Sequence, residues 1–140
     1  MVDSDLIQQK LLQLEGYLRQ LEKHKDVSAP ELEQDLDLAW IVEHGLQLSI
    51  QVVLDIGTHI LSGEGIIVDE YGDVFEELTK LGVLPREFAR NITGMAGFRN
   101  ILVHEYGKVD MKKVADIMAH HLDDFRQYAR HVIKYMGWSF

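Results

Sequence analysis

The sequence predicts an all-α protein, an up-and-down bundle of four to five helices, and two observations support that prediction. Apolar residues recur at intervals of three and four positions along most of the chain, which is the spacing of one face of an α-helix. The segments with this spacing are joined by short stretches, and short connections are typical of helices that pack antiparallel. With 140 residues, of which 46% are hydrophobic, the chain fits one domain over residues 1–140.

The first predicted helix spans about residues 4–25 and carries a single apolar seam. The members of the seam are spaced alternately four and three apart: Ile7, Leu11, Leu14, Leu18 and Leu21. A short linker follows, in which Ser28 or Ala29 is expected to cap the next helix and Pro30 to lie in its first turn.

The second predicted helix is long, about residues 30–61, and its second half is apolar on most sides. We expect such a helix at the centre of the bundle, because neighbouring helices must cover several of its faces. Frequent β-branched residues make a strand the competing interpretation, but the length of the segment and its polar positions favour a helix. Those positions repeat every four residues and form one polar stripe: Gln47, Gln51, Asp55 and His59.

Three further helices are predicted after residue 61. Residues 62–65 (SGEG) resemble part of a phosphate-binding loop, but no strand precedes them, so we interpret them as an ordinary loop. The later helices span residues 71–81, ended by Gly82, and residues 85–106, in which Gly94 and Gly97 favour a bend and Gly107 ends the helix. Asp110 is expected to cap the last helix, residues 111–136.

Composition and charge exclude several classes of protein. The chain contains no cysteine, which excludes disulfides, thiolate metal sites and a cysteine nucleophile. A formal net charge of −9 argues against sequence-blind adhesion to nucleic acid but leaves room for a local basic pocket, and it fits a basic partner or a solubilising surface. The start of the chain does not resemble a signal peptide and no apolar run reaches the roughly 18 residues of a membrane span, so we expect a cytoplasmic protein.

Residues 98–106 (FRNILVHEY) concentrate more chemistry than any other segment. If the segment is helical, its polar residues share one side, while Ile101 and Leu102 point away from that side. The polar residues are Arg99, Asn100, His104 and Tyr106. Asn100 and His104 lie one turn apart, which is close enough for contact.

This combination of side chains suits phosphoryl chemistry. Arg99 presents a planar fork of donors that matches two phosphate oxygens, and His104 can take up and return a proton near neutral pH. Asn100 can position the histidine or the substrate, and no metal is required if a ribose 2′-hydroxyl is the attacking group. The spacing alone leaves a plainer alternative open, in which Arg99 and His104 are solvated near the end of a helix and Tyr106 is a core aromatic.

Residues 99–106 resemble the R-x4-H-x-Y motif of the HEPN superfamily, in its HepT-like branch. Two positions depart from the expected pattern, because His44 stands where the family often has arginine and Gln51 where it often has glutamate. The resemblance covers roughly residues 5–130, and its upstream segments follow the order of the family: residues 37–39, 43–50, 55–60 and 71–78.

The resemblance implies an RNA-cleaving toxin of a toxin–antitoxin pair. It implies a metal-independent endoribonuclease that needs no cofactor, works as a homodimer with a composite cleft, and uses Arg99, Asn100 and His104 as its catalytic residues. The implied partner is a nucleotidyltransferase antitoxin of the MNT type, which silences the toxin by transferring AMP to Tyr106. RNA is the implied substrate, and neither DNA nor a membrane is expected as a partner.

Other functions stay open at the level of sequence. The same helix is compatible with a non-catalytic module that binds a nucleotide or docks a nucleotidyltransferase, or with a structural dimer whose motif packs the interface. The seven histidines do not predict a metal site, because they form only pairs such as Asp55 and His59, and zinc commonly takes about three or four protein ligands. Glu43 and His44 are interpreted as an ordinary polar pair, with a contact to the motif as the alternative.

Overall fold

The computed structural model describes residues 2–104 and 109–138, and every element of secondary structure in these residues is helical. This confirms the predicted all-α class. The expectations that the fourth helix reaches Tyr106 and ends at Gly107 concern residues outside the described ranges. The elements are α1 (Ser4–Glu22), α2 (Ala29–Gln34), α3 (Leu36–Gly63), a short 3-10 helix (Tyr71–Asp73), α4 (Val74–Leu81), α5 (Arg86–Ile92), α6 (Gly94–His104), α7 (Met111–His120) and α8 (Leu122–Tyr135).

Three of the predicted helices are each divided in two, at Asp35, Thr93 and His121. At Asp35 the backbone leaves the helical region, with φ −119° and ψ 96°, and its side chain accepts from the Leu38 amide, so a new helix begins. At His121 the backbone departs again, with φ −121° and ψ 1°. At Thr93 the hydroxyl donates to the Ala89 carbonyl at 2.6 Å and competes with the helical N–H for that acceptor.

The remaining differences from the predicted helices lie at their boundaries. Helix α1 ends at Glu22 rather than near residue 25. Ser28, one of the two residues considered as a cap, caps α2 and forms a capping box with Glu31, in which each side chain bonds the other residue's backbone amide. The third predicted helix begins with a 3-10 turn before α4.

Helix α3 is the centre of the bundle, as its apolar second half predicts. It packs against α1, α2, α4, α6 and α8. Neither α3 nor any other helix in the described ranges is both long and apolar enough to cross a membrane. The large apolar residues in the second half of α3 are each at most 4% exposed: Ile50, Val52, Val53, Leu54, Ile56, Ile60 and Leu61.

A hydrogen bond and a glycine draw α4 and α8 close to α3. Tyr128 on α8 is fully buried and donates from its hydroxyl to the Val53 carbonyl at 2.9 Å. A Cβ atom at Gly57 would lie 2.6 Å from Cγ1 of Val74 on α4 and 3.3 Å from the Tyr128 hydroxyl. The close packing of these three helices therefore depends on the absence of a side chain at Gly57.

Arg126 on α8 holds that helix against α1. Its guanidinium donates to the Glu22 carboxylate and lies 3.4 Å from Oε1 of Glu15. Burial raises the pKa of Glu15, but the hydrogen bonds and positive charges of Arg126 and Arg19 outweigh burial and hold the pKa below its ordinary value. These contacts join the first and last helices of the described residues.

Candidate functional site

Helix α6 carries three of the four predicted site residues and lies against α3. Phe98 and Leu102 are each 3% exposed and anchor the helix in the core. Arg99 is half-buried, and Asn100 and His104 are exposed. The polar side of α6 is therefore open to a ligand, while an apolar side faces the core as the helical spacing predicts.

Arg99 is held by three partners. Its Nε donates to Oε1 of Gln51 on α3 at 2.9 Å, and its Nη1 donates to Oδ1 of Asn100 at 3.0 Å. The guanidinium carbon lies 5.1 Å from the centre of the Tyr71 ring, which is a cation–π distance. No carboxylate within the described ranges lies at salt-bridge distance from Arg99, so direct contact there does not neutralise its charge.

The structure brings Asn100 to Arg99 rather than to His104. The Asn100 oxygen accepts from Arg99, although helical spacing also permits a contact with His104. His104 is the last residue of α6 and is exposed. Ile101, which we expected to point away from the polar side, is only half-buried. Tyr106, the expected acceptor of AMP, lies outside the described residues.

Gln51, which holds Arg99, is itself bonded to other residues, including Asp55 of the same polar stripe on α3. Nε2 of Gln51 donates to Oδ1 of Asp55 at 2.8 Å and to the Tyr71 hydroxyl at 3.3 Å. The other carboxylate oxygen of Asp55 lies 3.6 Å from Nζ of Lys10 on α1. The sequence reveals this stripe but not its function, because nothing in the spacing of α3 indicates that Gln51 meets an arginine 48 positions later.

Asp55 and His59, the pair considered as metal ligands, have separate partners. Asp55 pairs with Lys10, whereas Nε2 of His59 accepts from the Asp3 backbone amide at 3.1 Å. In the part of the chain that the structure describes, no three or more such side chains are grouped to hold a metal ion.

A cavity of about 700 Å³, here called the α3–α6 groove, is lined by Leu102 of α6 and by residues of the first half of α3. Trp40 and Ile41 form part of its wall and are 77% and 53% exposed. Glu43 and His44 also line the groove, and burial raises the pKa of Glu43. These two residues therefore lie on a surface that adjoins the motif helix.

A second cavity, of about 530 Å³, lies where the motif helix meets the 3-10 turn. It is lined by Asp69, Glu70, Tyr71, Gly97 and Asn100 among others. Two of the three partners of Arg99, Tyr71 and Asn100, therefore also face open space, next to two carboxylates.

The helical bundle and the Arg-x4-His helix packed on its central helix define a HEPN-type domain. The chain belongs to the HepT-like family, because the family model described as Ribonuclease HepT-like matches residues 14–132. This match confirms the resemblance drawn from residues 99–106 and the upstream segments.

Two curated relatives match nearly the whole chain. The chain is 31% identical over 137 residues to the tRNA nuclease HepT of Aphanizomenon flos-aquae, which covers 96% of this chain and 92% of that protein. It is 27% identical over 127 residues to the mRNA nuclease HepT of Shewanella oneidensis, with 89% and 94% covered.

Two solved structures share the fold. A toxin–antitoxin structure with AMP-PNP matches with a TM-score of 0.83 and 26% identity, covering 94% of this chain and 98% of that chain. A tri-AMPylated Shewanella oneidensis HEPN toxin in complex with its MNT antitoxin matches with a TM-score of 0.82 and 27% identity, over the same shares of the two chains.

Proposed function

We propose that the protein is an endoribonuclease that acts as the toxin of a toxin–antitoxin pair. The observation that carries this proposal is the Arg99 guanidinium, fixed by Gln51, Asn100 and Tyr71 on the helix that presents His104. A fixed cation and a titratable imidazole on one helix suit the cleavage of a phosphodiester. The names of the two HepT relatives, a tRNA nuclease and an mRNA nuclease, support RNA as the substrate class.

In this reaction Arg99 binds two oxygens of the scissile phosphate. His104 is the general acid/base: it takes the proton of the ribose 2′-hydroxyl, whose oxygen attacks phosphorus, and a proton returns to the departing 5′-oxygen. The products are a 2′,3′-cyclic phosphate end and a 5′-hydroxyl end. Asn100 positions Arg99 through their hydrogen bond. No metal is needed in this reaction, because the attacking group belongs to the substrate.

The active form is a homodimer. The first half of α3 exposes Leu36, Trp40 and Ile41 by 76%, 77% and 53%, and grouped exposed apolar side chains of this kind are typical of protein interfaces. This surface adjoins the α3–α6 groove and so lies next to the motif helix. Pairing of two copies through it brings their motif helices into one composite cleft.

The antitoxin partner is a nucleotidyltransferase of the MNT type, which transfers AMP to Tyr106. The HEPN toxin in the solved complex with an MNT antitoxin is tri-AMPylated, which supports this regulation. Tyr106 follows His104 by two positions in the sequence. An adenylyl group there adds negative charge and bulk two positions from His104 in the sequence, and we expect it to compete with the RNA phosphate for the site.

The decisive experiment compares RNA cleavage by the wild type and by His104→Ala. Loss of the general acid/base is expected to slow cleavage about 10²–10⁴-fold. The matched control is His120→Ala, which removes an exposed histidine from the end of α7 and is expected to leave the rate unchanged. Excess EDTA is expected to leave wild-type cleavage intact. Equal rates for wild type and His104→Ala contradict the catalytic assignment. If the wild type binds RNA or ATP but does not cleave RNA, the protein is a non-catalytic binding module instead.

The regulatory role of Tyr106 is tested by intact mass after incubation with the partner nucleotidyltransferase and ATP. The wild type is expected to gain the mass of at least one AMP, and Tyr106→Phe is expected to gain none. Tyr17→Phe, which removes a tyrosine on α1, is the control and should be modified like the wild type. Equal modification of Tyr106→Phe and the wild type assigns the acceptor to another residue.

A further inference from the structure

We infer that the cavity between the 3-10 turn and α6 is a base-recognition site for the RNA substrate, and that it selects guanine. This inference rests on the proposed binding of an RNA phosphate by Arg99. The cavity measures about 530 Å³, within the range of about 300–1,000 Å³ that is typical of small-molecule sites. Asn100 lines the cavity and bonds Arg99 at 3.0 Å. A base in the cavity and a phosphate on the guanidinium therefore belong to neighbouring parts of one RNA strand.

Small residues keep this cavity open. Gly72, Ala96 and Gly97 line it, and a Cβ atom at either glycine would meet no neighbouring side chain within 4 Å. Glycine is less favourable than alanine inside a helix, yet neither close packing nor a positive φ requires it at Gly97. A glycine also lets a ligand approach the backbone closely, and the open space beside Gly97 suits a flat base lying against α6.

The cavity offers both hydrogen-bond acceptors and a donor. Asp69 and Glu70 line it, and neither carboxylate forms an ion pair with a cation in the described ranges. The Asn100 oxygen accepts from Arg99, which has only donors, so the NH₂ end of this amide is turned away from the guanidinium. No residue in the described part of the chain accepts a hydrogen bond from that NH₂ group, which leaves it for a ligand.

Guanine is the base whose polar edge fits these groups. Its N1–H and N2–H₂ groups are adjacent donors that match the two oxygens of one carboxylate, and its O6 accepts from an amide NH₂. Adenine and cytosine each present one amino group beside an unprotonated ring nitrogen, so a carboxylate accepts only one hydrogen bond from that edge. Uracil presents a single N–H between two carbonyl oxygens, which a carboxylate repels.

The two carboxylates also affect how the phosphate binds. Asp69 and Glu70 lie beside a site that takes up an anion, and their charges repel it. A guanine nucleotide offsets this repulsion, because its phosphate meets Arg99 while the N–H groups of its base meet the carboxylates. A base without those donors removes water from the carboxylates and gives no hydrogen bonds in return, which is unfavourable. The carboxylates therefore weaken the binding of RNA in general and favour guanine at this position.

The test measures how the full-length protein binds short 2′-O-methyl oligouridylates, which lack the attacking hydroxyl and carry one guanosine, inosine or adenosine. Fluorescence anisotropy gives the affinity of each oligonucleotide. The wild type is expected to bind the guanosine oligonucleotide on the order of tenfold more tightly than the adenosine oligonucleotide. Inosine lacks the N2 amino group, so its oligonucleotide should bind with intermediate affinity.

Removal of the two carboxylates should abolish the preference for guanosine. Asp69→Asn/Glu70→Gln is expected to bind the guanosine and adenosine oligonucleotides nearly equally. Asp26→Asn/Glu33→Gln removes the same two charges at exposed positions elsewhere and should keep the wild-type preference.

A steric variant tests the cavity without changing its charge. Gly97→Leu fills the space beside α6 and should also lose the preference for guanosine. Gly16→Leu places the same side chain at a glycine of α1 that likewise has no neighbour within 4 Å, and it should keep the preference. Circular dichroism of each variant, compared with the wild type, verifies that the helical bundle is intact.

The outcomes separate this inference from the proposed function. Equal affinity of the wild type for the guanosine and adenosine oligonucleotides overturns the guanine site, and so does a preference that persists in Asp69→Asn/Glu70→Gln. If Arg99→Ala binds every oligonucleotide as tightly as the wild type does, the proposed phosphate contact is wrong instead. Because these oligonucleotides cannot be cleaved, the base preference is measured whether or not the protein is a ribonuclease.

Discussion

The two halves of α3 belong to one continuous helix but have different surroundings. Residues 49–63, the covered half, pack against neighbouring helices, and Ile50, Val53 and Ile56 are each at most 1% exposed. Residues 36–48, the open half, bury Val42 and Leu46 but leave Trp40 77% exposed.

The difference between the halves shows that hydrophobic content alone does not distinguish a core from an interface. Both halves are rich in large apolar residues, but only in the covered half are all of the large apolar residues buried within the chain. The exposed apolar residues of the open half stay in contact with water in the folded monomer. Because burying apolar surface is favourable, they are suited to pack against a second protein surface. The polar stripe extends from Gln47 in the open half to His59 in the covered half, and its Gln51 accepts from Arg99.

Trp40→Ala is the change expected to have the largest effect on the open half. If this half is a dimer interface, truncation of a central aromatic should weaken self-association by at least about 2 kcal/mol, or roughly thirtyfold. The stability of the folded monomer should change by less than about 0.5 kcal/mol, because the side chain is exposed there. Sedimentation equilibrium at several protein concentrations measures the first quantity.

The control for Trp40→Ala is Leu12→Ala, which removes an apolar side chain that is 74% exposed on α1. It should leave self-association unchanged. A wild-type protein that is monomeric at all concentrations, or a Trp40→Ala variant that associates like the wild type, would assign another role to the open half.

A matched pair of glycines tests the covered half with a smaller expected effect. At Gly57 a new Cβ meets Val74 at 2.6 Å and Leu78 at 3.1 Å, so Gly57→Ala should destabilise the protein by about 1–2 kcal/mol despite the better helix propensity of alanine. At Gly45, in the open half, the three atoms nearest to a new Cβ all belong to the buried Leu21 side chain, with Cδ2 at 2.6 Å and Cγ at 3.1 Å. Gly45→Ala should therefore also destabilise the protein, but by less than Gly57→Ala, because one side chain has to move rather than three.

Urea unfolding of the two glycine variants measures this difference. If Gly45→Ala lowers the free energy of unfolding as much as Gly57→Ala does, the two halves of α3 do not differ in packing. If Gly57→Ala also lowers the cooperativity of unfolding, the difference is larger than proposed, because three helices meet at that position.

Glu43→Gln is expected to have the smallest effect. Burial raises the pKa of Glu43, so the folded protein holds its proton to a higher pH than the unfolded chain, and stability falls as pH rises through that window. At neutral pH the variant should be more stable by about 0.3 kcal/mol, a small value because the groove admits water. Below the ordinary pKa of a glutamate the difference should disappear, and unfolding in urea at both pH values measures it.

The sequence predicts those parts of the fold that follow from a periodic apolar pattern. It does not predict the features that depend on a single residue. Helical spacing identifies the central helix and the inward side of α6, since both follow from periodic burial. It does not identify the breaks at Asp35 and His121, because each arises from a local backbone change that leaves the apolar spacing on either side intact.

The candidate site divides in the same way. The spacing of Arg99, Asn100 and His104 along one segment is visible in the sequence, and their shared helix is confirmed. The contact between Arg99 and Gln51 is not visible, because it joins two helices whose relative rotation depends on packing. The polar stripe of the central helix indicates that its side chains need polar partners, but not which residues supply them.

The guanidinium of Arg126 has a consequence for how the chain reaches its native state. Glu15 and Arg126 are 111 positions apart, so their contact closes a loop that includes most of the chain. Contacts of such high sequence separation form late in folding, because the intervening segment must lose its freedom first. During synthesis, Glu15 and Glu22 of α1 therefore meet Arg126 only after α8 has left the ribosome.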